Sequence, residues 1–281
     1  MKVVVTGAAG QLGQDVLLEL ERNNHQAIGA DRQTLDISDE AAVQAFIQEV
    51  KPDVILHCAA YTNVDSAEQD EETAYKVNGL GAKYLAQAAK QTGAKMMYIS
   101  TDYVFDGTAS EPYEVDHPTK PLGAYGRTKL AGEVFVQENL EEFFIVRTAW
   151  VFGKHGNNFV KTMIRLGKER GEVGVVSDQV GSPTYTVDLA KFMVSLVETD
   201  KYGIYHATNS GICSWYEFAV EIFKQAEMDV TVRPLTTEQF PRPAARPKYS
   251  VLSKKRIEEE GLTPLQSWKD ALSAYLKELK N

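Results

Sequence analysis

The chain has 281 residues, 43% of them hydrophobic and 25% charged, which suits one large or two intimately packed globular units and excludes the disordered and fibrous classes. A formal net charge of -9 opposes polyanions, so nucleic acid is excluded as a partner and an anionic small molecule needs a local basic pocket. Two cysteines, Cys58 and Cys213, follow no metal or redox spacing and point to a cytoplasmic setting; no apolar run reaches a membrane span, and MKVVVTG carries no signal pattern.

In chain order, short apolar runs alternate with helical periodicity. KVVVT (2–6) predicts a strand and QLGQDVLLELER (11–22) a helix; QAIGAD (26–31) and DVILHCAA (53–60) predict strands on either side of a helix over 38–50. A helical stretch over 70–93 leads to the strand KMMYIST (95–101), and a helix beginning near Tyr125 leads to FFIVRTAWVFG (143–153). Repetition this regular implies a parallel sheet, and uninterrupted apolar strands fit one covered on both faces. After Gly153 the alternation loosens. Helices are expected over 157–170, 186–198 and 214–227, a strand over 203–209, a proline-punctuated loop over 240–253 and an amphipathic closing helix over 267–281. The expected fold is α/β. A Rossmann-type doubly wound parallel sheet is formed by 1–153, with about 183–210 returning to it, and a smaller C-terminal α/β lobe by 154–182 and 211–281.

TGAAGQLG places Gly7, Gly10 and Gly13 three residues apart at the first strand-to-helix turn. Bare glycines let a pyrophosphate reach backbone amides and the positive end of the helix. Asp31 closes the second strand eighteen residues after Gly13, where a ribose-binding acid is expected, so 1–153 reads as a dinucleotide-binding unit. Asp31 suits a free 2′-hydroxyl and Arg32 beside it suits a 2′-phosphate, which leaves NADH and NADPH both open. Asp36 has two readings: with Ile37 it flanks the adenine, or it caps the helix starting near Ser38.

In PLGAYGRTKLAGE, Tyr125 and Lys129 stand four apart and share a helix face. An ammonium beside a phenol lowers its pKa, so Tyr125 is the expected proton donor to a carbonyl oxygen, tuned by Lys129. YISTDYVFDG ends a strand at the carboxyl edge of the sheet and offers the hydroxyls of Ser100 and Thr101 to the same carbonyl.

The glycine triplet, the hydroxyl after the strand and Tyr-x-x-x-Lys together resemble the extended short-chain dehydrogenase/reductase superfamily. CAAYTNVDSAEQD, STDYVFDG, YGRTKLAGE, VRTAWVFGKHGNNFVKTM, SDQVGSPTYTVDLA and RPKYSVLS narrow the resemblance to its dTDP-4-dehydrorhamnose reductase family, from the first strand to the closing helix. That resemblance implies reduction of the C4 ketone of dTDP-4-dehydro-β-L-rhamnose by NADPH or NADH. Thr101 would polarise the carbonyl, Tyr125 would be the acid, and Lys129 would assist both tyrosine and cofactor. It also implies that Gln11, Leu12, Ala59, Ala60 and Thr62 join the cofactor site, and that Val64, Thr101, Asp102, Tyr103 and Tyr125 meet the sugar, with Trp150 stacking nearby. For Tyr103 and Trp150 the alternative is a place in the core.

The basic pocket is expected where a helix begins, at Asn157 or Asn158, and at Arg246 and Lys248 of the proline-rich loop. A plain helix cap and a solvated basic loop are the alternatives. Some members of the resembled family hold a divalent ion between subunits. Asp15 matches one acidic position but Val187 stands at the later one, so no metal is expected, and the chain is expected as a monomer or weak homodimer. Asp102 is followed by Tyr103 where related dehydratases carry Asp-Glu, which argues against dehydration. The runner-up readings are a nucleotide-sugar epimerase or other reductase of the superfamily, and a non-catalytic regulatory subunit. A binding subunit has no need to keep Thr101, Tyr125 and Lys129 together.

Overall fold

The computed structural model describes residues 1–280. Six strands, β1 (Lys2–Thr6), β2 (Gln26–Ala30), β3 (Val54–His57), β4 (Lys95–Thr101), β5 (Phe143–Thr148) and β6 (Gly203–His206), form one sheet. Their order is β6-β5-β4-β3-β1-β2, and every pairing is parallel. Successive side chains of a strand face opposite ways, and here both ways lead to apolar packing. Val3 and Val5 join Leu56, Met97, Phe144 and the helix Thr186–Val197, while Val4 joins Ile55, Met96 and Ile145 beneath the helices Glu40–Val50 and Gly81–Thr92. A strand buried on both faces has no polar side to display, hence the plain apolar runs. With all strands aligned, their carboxyl ends share one edge. β1 sits where the strand order reverses, the place at which open α/β sheets bind ligands.

The stretch over 70–93 folds as Glu71–Tyr75, a π-helical Lys76–Leu80 and Gly81–Thr92 in continuous succession. Asp70 caps its start by accepting from the Thr73 amide, and Gly93 ends it in the left-handed region at φ 70°. The cap of the helix Glu40–Val50 is Asp39, not Asp36. Asp36 instead accepts from the amide and hydroxyl of Ser38 in a local turn, which lowers its pKa.

A separate apolar cluster gathers Phe152, Val160, Phe218, Ile222, Leu272 and Tyr275 from the later part of the chain. The closing helix runs Trp268–Lys280, and the expected last residue, 281, lies outside the described residues. Among the elements not expected from sequence are two strands and a short helix. Glu172–Val176 pairs in parallel with Thr231–Leu235, and Val64–Gln69 forms a short helix capped by Asn63. The first pair joins distant segments, one containing Pro234, and the helix is too short to show periodicity.

Candidate active site

The turn between β1 and the helix Gln11–Arg22 excludes side chains sterically. Gly7 adopts φ 67°, and a Cβ on it would lie 2.7 Å from the Ala59 amide nitrogen. A Cβ on Gly13 would lie 2.2 Å from the Gly7 carbonyl oxygen; on Gly10 the distance is 3.0 Å. No side chain caps this helix and its first turn holds no acid, so free amides and the positive dipole end are available to an anion. Gly7, Gly10, Gln11, Leu12 and Gly13 line a cavity of about 1160 Å³. The cradle fits the pyrophosphate of a nicotinamide dinucleotide because a side chain at Gly7 or Gly13 would clash with backbone.

Asp31, Arg32, Asp36 and Ile37 line the same cavity, as do Ala59, Ala60, Thr62 and Val64. One carboxylate oxygen of Asp31 accepts from the Gln33 and Thr34 amides at 2.9 and 3.2 Å, leaving the other uncommitted. Arg32 is exposed and makes no ion pair among the described residues. A free acceptor and a free guanidinium therefore stand side by side at the ribose end.

β4 ends at Thr101, which caps the turn Asp102–Val104: its Oγ1 accepts from the Tyr103 amide at 3.2 Å and donates to Asp102 Oδ1 at 2.9 Å. The helix Ala124–Asn139 packs directly on this turn and on β4, with one glycine at each contact. A Cβ on Gly126 would sit 2.2 Å from the Tyr103 carbonyl oxygen, and one on Gly132 2.3 Å from the Tyr98 hydroxyl. Tyr125 and Lys129 thereby line the cavity together with Ser100, Thr101, Asp102 and Tyr103. The two neighbouring hydroxyls differ in role. Ser100 donates at 2.5 Å to Glu133, which is locked at 2.7 Å to the buried Arg147, so Thr101, whose proton rests on Asp102, is the hydroxyl that turns to a carbonyl.

Burial pushes the Tyr125 phenol above its ordinary range; Asp102 and Tyr103 push the same way and a hydrogen bond with Thr101 opposes them. The lowering by Lys129 expected from sequence is reversed. Lys129 is itself driven down to about 7 by burial, against Glu133 and Cys58, and its ammonium rests 4.0 Å from the centre of the Tyr98 ring. Desolvation favours the neutral form of both groups, and a lysine turned to a ring face does not outweigh it. Asp102 is pushed up to about 6 by burial, opposed by Ser250 and Thr101.

Tyr103 stands edge-on to Tyr125, ring centres 5.5 Å apart, and its hydroxyl accepts from Arg246 at 3.1 Å. Arg246 thus touches the site through Tyr103 and is not itself in the lining. Trp150 lines the cavity in the left-handed region at φ 49°, its indole stacked on Trp215 at 3.6 Å; a Cβ on Gly181 would meet the ring at 2.7 Å. Trp215, the first residue of the helix Trp215–Gln225, was not among the residues expected at the site, because only the fold brings it to Trp150. Asn157 lines the cavity and Asn158 does not. The side chain of Asn158 is committed: it accepts from the Lys161 amide at 3.0 Å and donates to Gly153 at 2.8 Å and to Gln11 at 2.9 Å. Lys248 is exposed and outside the lining.

Asp15 is buried, with one oxygen unpartnered and its carboxyl pushed up by burial, while Val187 packs in the later apolar cluster. Among the described residues no three His, Cys, Asp or Glu side chains converge as a metal-holding group. A second cavity of about 570 Å³, between Ile212, Glu217, Val220, Trp268 and Lys269, includes none of the expected catalytic, cofactor or substrate residues.

The family model described as RmlD substrate binding domain matches residues 1–281. The chain is 46% identical to the dTDP-4-dehydrorhamnose reductase of Streptomyces griseus over 96% of this chain and 91% of that one. Among solved structures it resembles the dTDP-4-dehydrorhamnose reductase of Bacillus anthracis in complex with NADP, at 48% identity and TM-score 0.97, covering 99% of this chain and 100% of that one. The Clostridium acetobutylicum dTDP-4-dehydrorhamnose reductase structure is similar at 50% identity and TM-score 0.98, with 100% of both chains covered.

Proposed function

The chain belongs to the dTDP-4-dehydrorhamnose reductase family, and on that premise we propose that it reduces the C4 ketone of dTDP-4-dehydro-β-L-rhamnose to dTDP-L-rhamnose, a cell-surface polysaccharide precursor. The reductant is NADPH or NADH. One observation carries the reading: the glycine turn, Thr101, Tyr125 and Lys129 open on a single cavity at the carboxyl edge of the sheet.

Gly7, Gly10 and Gly13 hold the pyrophosphate, and Asp31 and Arg32 the adenosine ribose. Bound there, the dinucleotide supplies hydride to the ketone carbon. Thr101 directs its hydroxyl at the ketone oxygen, and Tyr125 gives that oxygen its proton. A phenol held above its ordinary pKa is protonated throughout the neutral range, which is the state a proton donor must begin in. Lys129, driven down to about 7 by burial, in its protonated fraction supplies positive charge to the phenolate left behind. Tyr103 and the Trp150–Trp215 stack offer ring faces and edges to the sugar, and their bulk excludes water from it. The division into 1–153 with about 183–210, and 154–182 with 211–281, places the cofactor on the sheet and the sugar against the later lobe. The apolar clusters follow that division in the main, though Ile257 and Leu265 pack with the sheet and Phe152 and Tyr185 with the later cluster. Cytoplasmic residence and a monomer or weak homodimer complete the proposal; both cysteines are free and no described helix is long and apolar enough to cross a membrane.

The test is turnover of dTDP-4-dehydrorhamnose with NADPH and with NADH, comparing wild type and Tyr125→Phe. The variant is expected to lose about 10² to 10⁴ in kcat while still binding cofactor. Undiminished turnover by Tyr125→Phe would remove the mechanism.

A further inference from the structure

Asp65 lies just outside the cavity, on the short helix Val64–Gln69, and its carboxylate is saturated by one distant loop. Oδ1 accepts from the Ala244 amide at 3.2 Å and from Arg246 Nη2 at 3.1 Å; Oδ2 accepts from Arg242 through Nε at 3.0 Å and through Nη2. Burial raises its pKa, but the hydrogen bonds of Arg242 and Ala244 and the two guanidinium charges outweigh that and hold it ionised below its ordinary value. The other amino group of Arg246 reaches the Tyr103 hydroxyl at 3.1 Å, and Tyr103 stands edge-on to Tyr125. A continuous chain of contacts thus runs from Asp65 through Arg246 and Tyr103 to the proton donor.

The far side of the loop is pinned independently. Pro247 packs where a Cβ on Gly107 would be, 2.5 Å away, and the Lys248 carbonyl accepts from the Val180 amide at 2.8 Å. Only the segment carrying Arg242 and Arg246 depends on Asp65.

Resting on the reductase reading above, we propose that Asp65 is a positioning residue for the sugar nucleotide. It latches the 242–246 segment before substrate arrives, so that Arg246 is already set against Tyr103. Without the latch, the segment and two long side chains must be ordered during binding, a penalty that falls on affinity and leaves the chemical step alone. The carboxylate accepts from both guanidiniums and a backbone amide at once, a geometry an amide side chain does not reproduce, because its NH2 would face donors.

The experiment compares Asp65→Ala, Asp65→Asn and Asp65→Glu with wild type in two assays. The first is hydrogen exchange of residues 242–250 in the free protein; the second is steady-state kinetics with dTDP-4-dehydrorhamnose and NADPH. For Ala and Asn, exchange at 242–246 accelerates and KM for the ketosugar rises about tenfold, while kcat and KM for NADPH stay within about twofold. Glu restores most of the difference. Unchanged exchange at 242–246, an unchanged ketosugar KM, or an equal loss in kcat and both KM values would overturn the latch. If wild type leaves the ketosugar unreduced, the reading of function fails, whereas the exchange comparison needs no substrate and still judges Asp65.

Discussion

Asp102→Asn should make this protein more stable at neutral pH, with a size set by burial. The side chain is 2% exposed; one oxygen takes the Thr101 hydroxyl at 2.9 Å and the other has no well-formed hydrogen bond, although Ser250 stands close. Its pKa rises from 3.8 to about 6. A folded-state pKa above the unfolded value means the native protein binds the proton more tightly. The stability this group confers is therefore complete below the unfolded pKa and is lost as pH climbs through the folded one. Two units at 1.36 kcal/mol each amount to about 3 kcal/mol forfeited by the ionised carboxylate above pH 6. An amide cannot ionise, so Asn forfeits none of it. Urea unfolding at about pH 4 and about pH 8 should give near-equal stabilities at the acid end, and an advantage for Asn of about 1 to 3 kcal/mol at the other, the lower figure allowing for a weaker acceptor to Thr101. A difference that is the same at both pH values would show that the carboxylate is solvated in the native state and that the argument from burial fails.

Two other outcomes follow from contacts described above. Glu133→Ala strands Arg147, whose side chain is 3% exposed, and frees Ser100; chemical denaturation should register a loss of about 3 to 5 kcal/mol. Gly13→Ala forces a Cβ to 2.2 Å from a backbone oxygen that cannot give way, so fluorescence titration of NADPH should weaken at least about tenfold, whereas Gly10→Ala, with 3.0 Å available, should weaken it less.

The sheet was legible because each of its strands is an apolar run flanked by helical periodicity, a signal carried within a few residues. The glycine turn and Tyr125 with Lys129 were legible for the same reason, since their spacing is itself the geometry. What escaped depends on partners far away in the chain. Thr231–Leu235 carries Pro234 and is a strand only because Glu172–Val176 lies beside it. Asp65 meets Arg246 across 181 positions, and Trp215 meets Trp150 through the fold. The direction of the Tyr125 shift was missed on other grounds. Spacing predicts that two side chains share a face, but not that both are stripped of water, and desolvation decided the sign.

The position of β6 bears on how the protein is made. β5 reads FFIVRT and hydrogen-bonds on one side to β4, but its other side waits for Gly203–His206, about fifty residues past Gly153. While the ribosome is still supplying those residues, β5 is a long apolar strand with its amides and carbonyls unpaired, and it invites pairing with a neighbouring nascent chain. Pairing between nascent chains along β5 should therefore be a hazard of this interval of synthesis, and the sixth strand removes it from β5.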